Sequence, residues 1–426
     1  MGPVNAQEPG FTAFNPKNSF TPSPEGFIIR FMRVTSPAPS YISWPLYAFA
    51  ASAVASIAAE NIFIWLAVAL FLFFQIRNHQ KFDWPMGPFP LATLLFLGSF
   101  FAAALWGVDT ANSFHTVHKY LTILLIFFVA AMPLAQNNIR NFLLIFTYGA
   151  VFCSLAGFYK HFWLHQDRVD SFSGDKMVFG GMLMIALLLN LMFLKQEPKK
   201  WIPWIFALLI ATCLVFTQTR GAWIGFIVGF AILAWRLDRR WLYIGAFSAI
   251  ALFFALPHPI QDRIKSIGEI WFVFDSQGKI TNASSERFLM WQTGLAILKD
   301  HPWGIGQGNI SDLYLKYKSG VTYDPTVPHL HNNFMQILVQ NGWIGLGAYL
   351  FWIFSYYRTA FRFKSGNQEE RDCNWTLLCV FSATLVWGLT EYTFSHQYMN
   401  LFFALLGLQL NLWKNSAGDS GINKGP

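Results

Sequence analysis

The sequence predicts an all-α polytopic membrane protein with about twelve transmembrane helices and one large, partly helical outer loop late in the chain. Three observations predict it. Of its 426 residues, 54% are hydrophobic and 18% aromatic. Only 12% are charged, about half of the roughly 25% found in soluble domains. Uninterrupted apolar runs recur from about residue 41 to residue 413, which overrides the roughly three soluble domains that length alone would suggest.

A helix crosses the hydrocarbon layer with about 20 mostly apolar residues. The runs that fit are 41–59, 62–76, 87–106, 120–135, 141–158, 177–194, 201–217, 222–235, 241–256, 334–356, 374–391 and 397–413. They divide the chain into an N-terminal segment 1–40, nine spans within 41–256, an outer loop 257–333, three spans within 334–413 and a tail 414–426. Seven prolines and no apolar core before a small-residue cleavage site argue against a cleaved signal in the first forty residues. Gly26–Val34, where apolar residues alternate with two arginines, has the pattern of a surface-lying segment.

Positive charge sets the orientation, because Lys and Arg concentrate in cytoplasmic loops. With both ends inside, 18 basic residues fall inside and 12 outside, seven of the latter in the one long loop. The net charge of +8 is thereby explained without a nucleic-acid partner. The same orientation puts every histidine except His79 on the outer side. Imidazole, with an ordinary pKa of about 6.5, suits proton transfer near neutrality, so any chemistry is expected to face outward. The four cysteines, Cys153, Cys213, Cys373 and Cys379, show neither CxxC nor a histidine pairing, and neither a disulfide nor a zinc site is expected from them.

A loop the length of 257–333 is functional or disordered, and this one carries order. Phe288, Trp291, Leu295 and Leu298 recur at helical spacing, with Asn282 or Ser284 available as N-cap. A second short helix is expected at Ile310–Lys318, after a turn at Gly304–Gly308. Trp271, Phe272, Phe274, Trp291 and Trp303 would seat the loop on the membrane interface. The loop reads as a cap over an outward-facing cavity.

Three outward arginines are candidates for binding an anion. Arg220 lies in an almost linker-free junction between two spans, where a charge near hydrocarbon needs a partner or a wet cavity. It is either an interface anchor or an anion site, since guanidinium grips phosphate through paired hydrogen bonds. Gly221 beside it permits close approach of a ligand or a helix. Arg287 at the start of the loop helix pairs either with Glu286 or Asp262 or with a ligand. Arg168 stands between Asp167 and Asp170, which could neutralise it. Taken together on a near-neutral outer face, the three fit a pyrophosphate better than a protein carboxylate.

The most informative run is Pro328-His329-Leu330-His331-Asn332-Asn333, opening into the tenth span. Pro328 suits a helix start, which puts the imidazoles at the positive end of the helix dipole. On a helix, residues two apart point about 200° away from each other, so His329 and His331 are expected to have different neighbours. An extended segment would instead align them and leave a metal open. General base, structural hydrogen bonding and metal ligation all remain available to the pair. The lack of an outer carboxylate cluster argues against a catalytic divalent cation, and no cofactor is expected. Glu391 and His396, polar residues at membrane depth, read as a proton relay or a cavity wall.

The order TQTRGAWIG (217–225), ERFLMWQTGLAILKDHPWGIGQGN (286–309) and PHLHNNFMQILVQNGWIGLGAYL (328–350) resembles the O-antigen ligase and polymerase superfamily of bacterial inner-membrane glycosyltransferases. The shared pattern is an arginine–glycine turn between spans, an Arg…Trp helix, a Pro-x-Gly-x-Gly turn and His-x-His-Asn opening a helix. It covers roughly residues 215–350. The resemblance implies a multi-pass inner-membrane enzyme whose large loop and active site face the periplasm. It implies an inverting, metal-independent transfer of a glycan from undecaprenyl diphosphate to a sugar hydroxyl of the lipid A core, completing lipopolysaccharide. Carried over residue by residue, His331 is the catalytic base, Arg220 and Arg287 clamp the donor diphosphate, and His329 and Asn332 support. Arg168 is a looser match for a third clamp, because Ser171–Lys176 copies only part of the pattern that follows it in the family. An O-antigen polymerase is the nearest alternative. A protein O-oligosaccharyltransferase is less expected, since that branch commonly has a longer outer C-terminal region. A transporter would show pseudo-symmetric halves and polar breaks near mid-membrane, whereas the polar residues here gather at one face and in one half.

Overall fold

A computed structural model describes residues 40–172, 174–237, 240, 242–243, 245, 254, 258–265, 283–318, 329–395 and 399–421, and among them there is no strand. In chain order the helices are α1 Ser40–Ser52, α2 Ile57–Arg77, α3 Pro88–Leu105, α4 Thr110–Val117, α5 Leu125–Ala131, α6 Gln136–Trp163, α7 Lys176–Gln196, α8 Ile202–Phe216 and α9 Arg220–Leu237. After them come α10 His258–Lys265, α11 Ala283–Asp300, α12 Ile310–Tyr317, α13 Asn333–Arg362, α14 Gln368–Trp387 and α15 Met399–Gly421. A 3-10 turn, His118–Leu124, joins α4 and α5 into one bent rod.

Helices stand where the expected spans were placed, except the ninth, 241–256, most of which lies outside the described residues, as do 1–39. Among the described residues, six are long and apolar enough to cross a membrane: α2, α3, the α4–α5 rod, α6, α7 and α13. The chain is thus a multi-pass membrane protein. Expected boundaries shift in places. The first run, 41–59, is cut at Ser52, and Ser56 accepts from the Ala59 N–H to start α2. The loop helices α11 and α12 form where the spacing put them, but the buried face of α11 is Leu289, Met290, Thr293, Ile297 and Leu298, while Phe288 and Leu295 are exposed. Trp291 donates its indole N–H to the Leu330 carbonyl and so pins the cap to the chain before α13. Trp303 is exposed; Trp271, Phe272, Phe274, Asn282 and Pro328 lie outside the described residues.

α7 is apolar all round and 83% of its span is buried, the mark of a central helix. It packs against α6, α8, α9 and α14. Trp387, at the end of α14, fills the space left by two glycines: a Cβ on Gly181 would lie 1.9 Å from its ring and one on Gly221 2.7 Å from it. At the opposite ends of the same helices, Lys195 of α7 pairs with Asp372 of α14 at 2.5 Å. Nearby on that side Arg140 and Lys200 both reach Glu197. One end of the bundle therefore carries the Lys195–Asp372 and Glu197 pairs, and the candidate site residues collect at the other. All four cysteines are buried and unbridged.

The long helix α13 is broken at Gly342, whose φ of 65° and ψ of −167° are not helical. The turn from Pro302 to Gly306 fills the break. Ile305 N–H donates to Val339 O at 3.1 Å, Gly306 N–H to Gln340 O at 3.0 Å, and Trp343 N–H to Pro302 O at 3.3 Å. The groups freed by the break are thus satisfied inside protein, the condition for irregular backbone at membrane depth. Gly304, Gly306 and Gly308 all have positive φ, which explains their alternation. A Cβ at Gly342 would stand 2.3 Å from the Trp303 carbonyl carbon. Gly342→Ala is therefore expected to cost about 2–3 kcal/mol, read as a lowered Tm of the purified protein; an unchanged Tm would show that the wedge yields.

Candidate active site

The run His329–Asn332 is not helical: α13 begins at Asn333, with Asn332 as its N-cap. Asn332 Oδ1 accepts from the N–H groups of Phe334 and Met335 at 2.8 and 3.1 Å, and its amide donates to Leu389 O at 3.0 Å. Asn333 grips the same neighbouring turn. Its N–H donates to Gly388 O at 2.7 Å, its side-chain amide donates to Thr393 Oγ1 at 2.8 Å, and its Oδ1 accepts from Thr393 N–H at 2.7 Å. Two consecutive asparagines thus clamp the start of α13 to the segment 388–393.

That clamp sets Glu391 opposite the histidines. His331 Nδ1 lies 2.8 Å from Glu391 Oε1 and His329 Nδ1 lies 3.8 Å from the same oxygen. Arg287 approaches Oε2 at 3.7 Å, and Tyr392 N–H donates to Oε1 at 3.2 Å. The expectation that the two histidines have different neighbours is overturned: their rings are 4.2 Å apart and share one carboxylate. The reason is the cap, which delays the helix until Asn333 and leaves the pair in a turn. His331 itself is left-handed, at φ 47°, a strain of about 1 kcal/mol or more for a residue with a Cβ.

The carboxylate is 2% exposed, whereas the side chains of His329, His331 and Arg287 are 18%, 24% and 23% exposed. A buried carboxylate thus holds three groups that are partly exposed. A carboxylate that is ionised only accepts, and the contact then takes its proton from the imidazole side. Behind the site, burial and then Tyr120 push the Tyr392 phenol well above its ordinary 10.0, and the two hydroxyls share a hydrogen bond of 2.6 Å.

Arg287 pairs with Glu391 rather than with Glu286 or Asp262, which the sequence had suggested, so a protein carboxylate does stand among the arginines. Arg220 opens α9, and Gly221 beside it packs against Thr390: a Cβ there would sit 2.2 Å from Thr390 Oγ1. The close approach expected at this glycine is made by a neighbouring helix end, next to Glu391. Arg168 lies further along the same end. Its Nε donates to Thr217 O at 3.3 Å, and it lines an open cleft of about 530 Å³ with Gly174, Asp175, Lys176 and Met177. Asp170 does not neutralise it; that carboxylate pairs with Lys160 at 2.5 Å. The structure thus brings His329, His331, Asn332 and Arg287 together, sets Arg220 beside them through its backbone, and leaves Arg168 near Thr217.

Asn333 is the residue missing from the sequence-derived set, and Glu391 stood there only as a proton relay or cavity wall, not as the partner of the histidines. Glu391 had a signal, a lone carboxylate between apolar runs, but no pointer to its partner 60 residues upstream. His396 lies outside the described residues. Of the described residues, His329, His331 and Glu391 form a group whose ligand atoms lie within 4.8 Å of one another and could hold a metal ion.

Residues 204–350 match the O-antigen ligase family, a span that holds Arg220, Arg287, His329, His331 and Asn332. A general O-oligosaccharyltransferase of Acinetobacter baylyi is 28% identical over 175 residues, 38% of this chain and 30% of that protein. The chain therefore spans less than a third of the length of this relative. The motif order read from the sequence and the match fall on the same residues, and over 204–350 the chain is similar to the O-antigen ligase family.

Proposed function

We propose that the protein is an O-antigen ligase, transferring a glycan from undecaprenyl diphosphate to a lipid A–core sugar hydroxyl with inversion and without a required metal. The observation that carries this reading is the 2.8 Å contact of His331 with buried Glu391. It supports an imidazole tautomer with Nε2 directed away from the carboxylate, as a general base requires. His331 takes the acceptor hydroxyl's proton as that oxygen attacks the anomeric carbon, and Glu391 stabilises the imidazolium that forms. Negative charge grows on the departing diphosphate, and Arg287 and Arg220, with Arg168 further out, offset it. His329 and Asn332 hold the base in register. In this reading both lipid-anchored substrates meet at the outer end of the bundle. Twelve spans with both termini cytoplasmic then place loop 257–333 and the site in the periplasm of the inner membrane.

The oligosaccharyltransferase relative favours one second reading, the same donor with another hydroxyl acceptor, such as a protein serine or threonine. Incubating purified protein with a chelator, undecaprenyl-diphosphate glycan and, separately, lipid A–core, free glycan or acceptor protein tests both. Product only on lipid A–core supports the ligase; product only on glycan or protein replaces it. Arg220→Lys keeps the charge but loses the bidentate fork and is expected to lower transfer by about 10-fold or more. Full activity in that variant would make Arg220 an interface anchor.

A further inference from the structure

We infer that His329, His331 and Glu391 form a binding site for a divalent transition ion of the zinc class, and that filling it switches transfer off. The two Nδ1 atoms lie 2.8 and 3.8 Å from one Glu391 oxygen. Ligands held about 2.0–2.2 Å from a tetrahedral ion stand roughly 3.3–3.5 Å apart, so both histidine–carboxylate separations lie close to the required one, and all three ligand atoms are within 4.8 Å of one another. Two imidazoles with one carboxylate select zinc, nickel or copper over magnesium or calcium, which favour all-oxygen sites.

The site is built in advance. Asn332 and Asn333 fix the turn that carries both histidines to the turn that carries Glu391, so little ordering remains for the ion to impose. Arg287 occupies the far side of the carboxylate, 3.7 Å from Oε2, which leaves Oε1 as a single-oxygen ligand with a partner behind it, the usual outer-shell arrangement. The partly exposed imidazoles give the ion a way in.

Inhibition follows from the tautomer. An ion at His331 Nδ1 takes the lone pair of that nitrogen, and the proton it displaces moves to Nε2. Nε2 can then no longer accept a proton from an acceptor hydroxyl, and Glu391 no longer faces the imidazole as a free anion. The ion-free protein is the active form. The inhibition rests on the proposed role of His331 as base, whereas the binding does not.

Calorimetry of the purified, chelator-stripped protein with Zn2+ should show one ion per chain, undisturbed by millimolar Mg2+. X-ray absorption at the zinc edge should show nitrogen and oxygen neighbours only. His329→Ala and the bulkier His329→Gln should each weaken binding by about 10-fold or more, and transfer by the wild type should fall with zinc and return with chelator. Absence of saturable binding, unchanged affinity in both variants, or full transfer with zinc bound would overturn the inference. If zinc binds as expected but His331→Ala transfers normally, the metal site stands and the base assignment falls. If His331→Ala is inactive and zinc does not bind, the metal site alone falls.

Discussion

Replacing His331 with alanine is expected to reduce glycan transfer by about 10²–10⁴-fold, the usual contribution of a positioned base, while the folded protein is recovered in normal yield. The fold should survive because His331 contributes little to it. Its ring is partly exposed and hydrogen bonds to Glu391, and its left-handed backbone is held by the Asn332 and Asn333 clamps that directly follow it. Alanine meets the same backbone strain as histidine there, so the substitution adds none. The carboxylate left behind keeps Arg287 and the Tyr392 N–H. Single-turnover transfer and Tm measured side by side make the comparison. A wild-type rate would remove His331 from the chemistry, and a collapsed Tm would make the loss uninformative about it.

Glu391→Gln is the second large effect. Glutamine has nearly the same shape and can still accept from His331 Nδ1–H, but it carries no charge with which to steady an imidazolium. By analogy with the acid of a serine–histidine–acid triad, where amide replacement costs about 10⁴-fold, transfer should fall by about 10²-fold or more. Arg287 also loses its partner, and breaking a buried pair from one side is destabilising. The partial exposure of Arg287 lets water screen part of that loss, so Tm should move by only a few degrees. Donor affinity separates the two roles. A drop in rate at unchanged donor Kd points to the imidazole, and a weakened Kd points to misplacement of Arg287. Normal transfer in this variant would mean that the His331 contact has no part in catalysis.

Much of the fold was legible because apolar length and charge placement are one-dimensional signals. The runs at 87–106, 141–158 and 177–194 returned as α3, α6 and α7 within a few residues at most ends, and α12 returned almost to the residue. What escaped was set by contacts across the sequence. The Asn332 cap moved the helix start past both histidines, so a periodicity argument that treated them as helical pointed them apart. Phe288 and Leu295 fit a helical stripe, yet α11 packs against Leu330 and α13, which selects Leu289, Met290, Thr293 and Ile297 alongside the expected Leu298. Glu391 was visible as a proton relay or cavity wall, and nothing local tells such a residue which of several cations it will meet. The site was readable as a set of residue types, but its centre, the shared carboxylate, was not.

The wedge of Pro302–Gly306 in α13 also bears on how the chain is made. While Asn333–Arg362 stands in lipid without its neighbours, opening at Gly342 would strand the Val339 and Gln340 carbonyls in hydrocarbon, at several kcal/mol for each. The newly inserted segment must therefore stay an unbroken rod until the preceding loop turns back and seats. Biogenesis of the span is then a two-step event, entry followed by unwinding, and the second step also completes the floor under the histidines. A chain whose loop fails to dock would remain fully threaded through the bilayer and still lack a formed reaction centre.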